Sequence, residues 1–386
     1  MNILILNYEY PPLGGGAGMV TQHLATEFIK KGHSVTILTT WFPGEPEYLV
    51  ENNLTIIRLL SRRKYAHQSN PLEMHDWVKK SRQYASKHFQ SGQYDVCLAN
   101  FTLPGGAVAR YLLKRFQLPY IILSHGHDIP WFSPRQMFVW HLLCYPVIKS
   151  IMLHSSYNVV LTKQLKKSAD KFLGDKYAEK NKVIPNGLLS FDVRDGFDAN
   201  DKVVQALFVG RLVEQKDPMS VVRAFKRLKA DHIPIHLKII GDGSLKGAIE
   251  DYIVRNNLED IELMGKISQS QVMEEYTKAH LLIAPSREEA MSLCVLEAVS
   301  CGLYICATDV SGNKELISEG LNGNFVQYGN PADIADKIRA FYNEKFLKNY
   351  RYPEYLAQYM QQNYSWDNAA GMYLDLFTSV ANTSST

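Results

Sequence analysis

Two carboxylates in the stretch PSREEAMSLCVLEAVSCG, residues 285 to 302, stand eight positions apart with no charged residue between them: Glu289 and Glu297. On one helix, eight steps of about 100° leave the two roughly 80° apart, a poor arrangement for acid–base work. If Ser292 caps a helix that opens at Leu293, Glu289 lies in the loop just ahead and Glu297 one turn inside. The pair then flanks a helix N-terminus, where unpaired N–H groups and the helix dipole favour an anion. A ligand with hydroxyls at both ends and phosphate between them fits that arrangement. A single helix with a solvated acidic face is the plainer alternative.

Cations suited to phosphate occur earlier in the chain. In LFVGRLVEQKD, Arg211 follows a strand-like run and Lys216 stands five residues on, so a bidentate fork and a point charge can reach one diphosphate. IIGDGS adds Gly241 and Gly243 at the next strand end, a tight turn of weak specificity. Near the start, EYPPLGGGAG carries Gly14, Gly15 and Gly16, which allow a backbone to approach a phosphate closely or simply form a loop without a ligand. The dinucleotide fingerprint would need glycine where Met19 stands, and the second strand ends in Thr39 and Thr40 without an acid for an adenosine ribose. A nicotinamide enzyme is therefore disfavoured. HGHDIP sets His125, His127 and Asp128 at another strand end, placed to hydrogen-bond a sugar hydroxyl or to serve the fold. No third ligand has metal spacing and no D-x-D occurs, so cations and a helix end, rather than a bridging metal, are expected to neutralise phosphate.

These residues need strand ends to hold them. Apolar runs alternate with helical patterns: NILILNY, SVTILTT, DVCLANF, PYIILSHG and NVVLTK, then VQALFVGR, IHLKIIGDG, IELMGK, HLLIAPS, LYICATD and GNFVQYG. Continuous apolar strands separated by helices predict parallel sheets covered on both faces. The polar run SFDVRDGFDANDK lacks periodicity and reads as a linker. The expected organisation is α/β: a doubly wound domain over 1–188, a linker over 189–202, a second doubly wound domain over 203–365, and a C-terminal amphipathic helix, about 366–386, returning to the first. Ligands of such open sheets bind outside the strand C-termini, here in a cleft between the domains.

The 386 residues suffice for two cores, and a formal net charge of +3 points away from a nucleic-acid binder. The segment 58–88 is locally basic and aromatic, suited to solvent, an anionic acceptor or membrane headgroups. Five cysteines without C-x-x-C spacing read as reduced thiols of a cytosolic protein, and the N-terminus lacks the pattern of a signal peptide. The apolar run from Met137 is broken by His141, Pro146 and Lys149; it cannot span a bilayer, and is expected to form a buried helical hairpin or, alternatively, to lie on a membrane surface.

Taken in order, the glycine-rich first loop, HGHD, IPNG, VGRLVEQKD, GDG, the E-x7-E segment and GNKELISEGLNG resemble the retaining glycosyltransferases of family 4, which have the GT-B fold of two Rossmann-like domains. The match runs from residue 1 to about 345, with a similar late YSW. The resemblance implies a metal-free transfer from a nucleotide-sugar, a UDP-sugar by default, to a glycan or lipid-linked acceptor in surface polysaccharide or lipopolysaccharide synthesis. It implies a cytoplasmic setting, with peripheral contact at the inner membrane face as a candidate. Arg211 and Lys216 would neutralise the diphosphate, with Gly15, Gly16, Gly210 and Gly241 approaching the donor. Glu289 would bind hydroxyls of the transferred sugar, Glu297 those of the ribose, and backbone amides of Met291, Ser292 and Leu293 the sugar and phosphate. His125 would face the sugar's far hydroxyl, the base would lie near Gly265 and Lys266, and Asp128 and Asn186 would stand on the acceptor side. Two departures matter: Ala290 and Ser292 replace glycines of the family's loop, and Asp217 replaces the glycine after the lysine. A non-catalytic nucleotide-sugar or sugar-phosphate binder on the same scaffold is the alternative.

Overall fold

The computed structural model describes residues 1–65, 69–130, 132, 134–188, 196–198 and 200–383. The chain divides into two compact units: Met1–Gly187 with Trp366–Thr386, and Leu188–Ser365. The first unit carries β1 (Asn2–Leu6), α1 (Gly16–Lys30), β2 (Ser34–Thr40), β3 (Tyr48–Glu51), β4 (Leu54–Leu59), α2 (Pro71–His88), β5 (Val96–Asn100), α3 (Ala107–Phe116), β6 (Tyr120–Leu123), α4 (Pro134–His154), β7 (Tyr157–Val160), α5 (Lys163–Leu173) and β8 (Asn181–Val183). Its sheet runs β3-β4-β2-β1-β5-β6-β7-β8, parallel except where β3 pairs antiparallel with β4. That β3–β4 pair lies within residues 41 to 77, a region whose sequence shows no strand alternation as clear as its neighbours'.

The second unit carries β9 (Val204–Val209), α6 (Pro218–Ala230), β10 (Ile235–Ile240), α7 (Lys246–Arg255), β11 (Ile261–Gly265), α8 (Gln269–Lys278), β12 (Leu281–Ala284), α9 (Leu293–Ser300), β13 (Tyr304–Thr308), α10 (Asn313–Leu316), β14 (Gly323–Val326), α11 (Pro331–Glu344) and α12 (Glu354–Asn363). All six strands are parallel, in the order β11-β10-β9-β12-β13-β14. Every residue of β5, β12 and β13 is buried, as expected of strands covered on both faces.

Helix starts follow local chemistry. Asn70 and Glu73 close a reciprocal capping box at α2, Ser268 and Gln271 do so at α8, and Pro331 behind the Asn330 cap opens α11. The last helix, α13 (Trp366–Thr383), belongs to the first unit. It buries Ala369, Ala370, Tyr373, Phe377 and Val380 along one side, and Phe377 meets Phe28 of α1 edge-on at 5.5 Å.

Two expectations change. The run from Met137 forms one helix, α4, rather than a hairpin: Pro146 sits inside it, and its outer face is exposed. Of the expected linker, 189–195 and 199 lie outside the described residues, while Phe197 is buried 4.7 Å from the His280 ring and Asp201 meets His280 Nε2 at 2.9 Å, so this end belongs to the second unit's packing. All five cysteines carry free thiols. Among the described residues no helix is long and apolar enough to cross a membrane.

Candidate active site

In the second unit, β9 and β12 are hydrogen-bonded neighbours, with Leu281 beside Ala206. From them the chain order runs outward in opposite directions, through β10 to one edge and β13 to the other. The C-terminal ends of β9 and β12 thus form the switch point of an open α/β sheet, where diverging loops leave a crevice. Arg211 and Lys216 follow β9, and Glu289 follows β12. Beside them the ends of β9, β10 and β11 draw close: Gly241 N–H donates to the Gly265 carbonyl at 2.8 Å, and a Cβ on Gly241 would strike the Gly210 carbonyl oxygen. Only glycine fits there, at a φ of 143°.

Lys216 Nζ and Glu289 form an ion pair, with side chains 17% and 13% exposed. Burial works against the Lys216 ammonium, but Glu289, the nearby Cys294 and the hydrogen bond to Glu289 outweigh it, so the lysine is held above its ordinary value. Arg211 opposes that shift as a neighbouring like charge. It is exposed, and its guanidinium donates to Gln215 Oε1 at 3.3 Å. Gln215 Nε2 in turn donates to the Glu288 carbonyl at 3.1 Å, and Arg287 N–H donates to the Gln215 carbonyl at 2.8 Å. Two cations and one sugar-binding carboxylate candidate are therefore tied into one loop pair.

Asp217 does not crowd the cations with its charge. The residue sits in the left-handed region at φ 53°, which explains why a glycine suits this position, and its carboxylate accepts from Ser220 N–H at 3.3 Å and Gly329 N–H at 2.8 Å. Burial raises its pKa despite those hydrogen bonds.

The helix α9 opens at Leu293, with Ser292 at the N-cap position, but the serine hydroxyl does not cap it. It lies instead 3.0 Å from Cys294 Sγ, which leaves the first turn's N–H groups without a side-chain acceptor among the described residues. The loop ahead is braced from behind: a Cβ on Gly312 would come within 2.5 Å of both the Ala290 carbonyl oxygen and Met291 Cα. One turn into α9, burial lifts the Glu297 carboxyl above its ordinary value, opposed by the hydrogen bond from Gln269 Nε2 at 2.7 Å. Lys266 is exposed just after β11.

The other expected residues belong to the first unit. Gly15 precedes α1, and Gly15 and Gly16 are exposed. His125 follows β6, with Nε2 2.9 Å from Asn100 Oδ1 and its ring 4.6 Å from Phe101, itself in the left-handed region at φ 62°. Because Asn100 Nδ2 points to the Leu6 carbonyl at 3.4 Å, its Oδ1 faces the histidine and assigns the proton to Nε2. Burial drives the His125 pKa down to about 4 against the pull of Asp128. Asp128 itself works inside the fold: it accepts from Ser124 Oγ at 2.7 Å, His125 N–H at 3.0 Å and Thr102 N–H at 2.9 Å, binding two loops together. Asn186 is buried after β8.

Residues 14–188 match the family described as Glycosyltransferase Family 4, and residues 192–362 match Glycosyl transferases group 1. The two matches abut and follow the two units. The chain belongs to these glycosyltransferases. An uncharacterized glycosyltransferase of Methanocaldococcus jannaschii, MJ1178, is 27% identical over 352 residues, 90% of each chain. Among solved structures, sucrose-phosphate synthase from Thermosynechococcus elongatus covers 99% of this glycosyltransferase and 100% of its own chain at a TM-score of 0.81 and 18% identity. HepE of Anabaena, solved with UDP-glucose, covers 98% and 100% at 0.72 and 18%. The fold is GT-B, two parallel-sheet α/β domains.

The candidate site of this glycosyltransferase includes residues that sequence reading passed over. Gln215 and Gln269, which orient Arg211 and Glu297, are ordinary polar residues whose partners become visible only when strand order brings distant loops together. Gly312 could have been noticed in the GNKEL run, whose glycine abuts the loop before α9.

Proposed function

We propose that this glycosyltransferase is a retaining enzyme that moves a sugar from a UDP-sugar to a glycan or glycolipid acceptor in the synthesis of a surface polysaccharide or lipopolysaccharide. The observation that carries the reading is the Lys216–Glu289 pair at the switch point of the second unit, with Arg211 tethered beside it through Gln215. The HepE complex with UDP-glucose supports the choice of nucleotide. The acceptor class rests on the family resemblance.

In this reading Arg211 and Lys216 draw the diphosphate to the ends of β9 and β12, and the uncapped first turn of α9 offers N–H groups to a phosphate oxygen. Glu289 accepts from hydroxyls of the transferred sugar, Glu297 from the ribose, and the base lies over the backbone at Gly265 and Lys266. His125, neutral near pH 7 and protonated at Nε2, presents Nδ1 as an acceptor for a sugar hydroxyl. The bond from the anomeric carbon to the leaving phosphate oxygen breaks as the acceptor oxygen attacks the same face, and the departing phosphate takes the acceptor's proton. The side chains stabilise the charge that builds on the diphosphate, which gives the largest share of such acceleration. No metal is needed in this scheme, because two cations and a helix N-terminus supply the positive potential.

Thermal denaturation against a panel of nucleotide sugars tests the reading, since a donor at a hundred times its Kd adds about 2.7 kcal/mol to stability. UDP-sugars are expected to raise Tm and to be slowly hydrolysed by the protein alone. A panel with no Tm shift overturns the proposal. A shift with neither hydrolysis nor transfer assigns the chain to the non-catalytic binders instead.

A further inference from the structure

We propose, on the basis of that donor reading, that Tyr276 is a positioning residue for nucleotide recognition: its buried hydroxyl donates to the Glu297 carboxylate when that group takes the ribose of a donor. The sequence of α8 sets the geometry. Gln269 and Tyr276 stand seven positions apart, which on a helix is two turns and a divergence of about 20°, so both face the same way with Val272 between them. That face meets α9. Gln269, which opens α8, donates through Nε2 to Glu297 Oε1 at 2.7 Å. Two turns on, Tyr276 is fully buried, and its hydroxyl lies beside the same carboxyl and the thiols of Cys294 and Cys301. The hydroxyl stops short of hydrogen-bond geometry with all three and has no hydrogen-bond partner among the described residues.

A buried hydroxyl without a partner has left water and formed nothing in its place, and phenylalanine would pack the same ring without that penalty. The acceptor within reach is Glu297, and its lone pairs show what the hydroxyl is for. An ionised carboxylate accepts at about four positions. Gln269 fills one, the two hydroxyls of a ribose fill two, and the last falls to Tyr276. The thiols are weak acceptors and do not compete. Burial disfavours the charge on Glu297, whereas Gln269 and Tyr276 both favour it. Burial and the Glu297 charge drive the tyrosine's own pKa far above its ordinary value, so it stays a donor at any pH at which the protein is folded. In the empty protein the carboxyl is held by Gln269 alone. A ribose that draws it into the ionised form gives Tyr276 a charge-assisted hydrogen bond, shorter and stronger than one between neutral groups.

The test is isothermal titration of the intact protein with UDP and with 2′,3′-dideoxyuridine diphosphate, beside thermal denaturation without ligand. Tyr276→Phe keeps the ring and removes only the unpartnered hydroxyl, so the empty variant is expected to melt at or above the wild-type Tm. It is expected to bind UDP about tenfold more weakly, the scale of one hydrogen bond to a charged group, and to bind the dideoxy nucleotide as wild type does. In a Glu297→Gln background the same substitution is expected to change UDP affinity by no more than about twofold, because the two side chains act as one unit. Equal UDP affinity in wild type and Tyr276→Phe overturns the proposal. An equal loss for both nucleotides also overturns it, by assigning the hydroxyl to the packing of the site at large. A lower Tm of the empty variant does so too, by assigning the hydroxyl to the fold. Wild-type protein that binds neither nucleotide removes the donor reading itself and this proposal with it, a result distinct from the other three.

Discussion

Lys216 and Glu289, 73 residues apart in sequence, form an ion pair across the ends of the adjacent strands β9 and β12. Each charge holds the other in place before any ligand arrives, so the lysine stays charged and aimed while largely removed from water. Lys216→Ala is expected to lower kcat by about 100- to 1000-fold, the scale for losing one preorganised charge-stabilising donor. It also strands the Glu289 carboxylate, which is expected to cost roughly 1–3 kcal/mol of stability. Steady-state kinetics beside a denaturant titration read both effects; near wild-type turnover would remove Lys216 from the chemistry.

Asp217 separates fold from function next door. Replacing it with glycine relieves the left-handed backbone but gives up the contacts to Ser220 and Gly329, for a net loss of about 1 kcal/mol. Asp217→Ala loses the contacts and keeps the strain, so its Tm should be the lowest of the three. Turnover is expected to stay close to wild type in both. A large fall in kcat with an unchanged Tm would place the carboxylate in the reaction.

The same local logic explains what was legible beforehand. All six strands of the second unit were readable because each is a short apolar-rich run between helical patterns, unbroken in the fully buried β12, and Arg211, Lys216 and Glu289 stood out as charges just beyond strand ends, with Glu297 in the helix that follows. The β3–β4 pair was not, since YLVE is half polar and exposed on the sheet edge. Nor was the direction of a side chain: Ser292 has the residue type of a cap yet turns to Cys294, and Asp128 has the type of a ligand yet joins two loops. Those outcomes depend on which loops strand order brings together.

Glu297 carries a stability cost that a ligand should redeem. Burial raises its carboxyl pKa above the ordinary 4.5, so between that value and the raised one the folded state binds more protons than the unfolded, and stability falls as pH rises through this window. Glu297→Gln removes the ionisation while keeping an acceptor for Gln269. The empty variant is expected to equal wild type below pH 4.5 and to exceed its Tm at neutral pH, while losing most of the donor-induced shift. Equal donor shifts in the two proteins would exclude a ribose-binding role.

Ala290 and Ser292 stand where the related family has glycines, on a loop that Gly312 blocks from retreating. Ala290 is half-buried on that loop, whereas Ser292 is 3% exposed with its hydroxyl turned to Cys294, so Ala290 is the one of the two placed to meet a sugar. The double variant Ala290→Gly, Ser292→Gly is expected to change the ranking of nucleotide sugars in the thermal panel, admitting bulkier sugars. An unchanged ranking would mean that neither side chain meets the sugar.

His125 offers the clearest pH signature. Its folded pKa of about 4 lies below the ordinary 6.5, so between the two the unfolded chain binds more protons and stability rises with pH; above 6.5 the full contribution is present, and it is lost on acidification through the window. The neutral ring is what allows Nδ1 to accept a hydrogen bond, because a protonated ring donates from both nitrogens. The ring proton resonances of His125 are therefore expected to titrate near pH 4, well below those of exposed histidines. His125→Asn should flatten the acid limb of the Tm profile and lower turnover with donor binding largely retained. A titration midpoint near 6.5 would show the ring solvated and charged in part at neutral pH, leaving no fixed acceptor for a sugar hydroxyl.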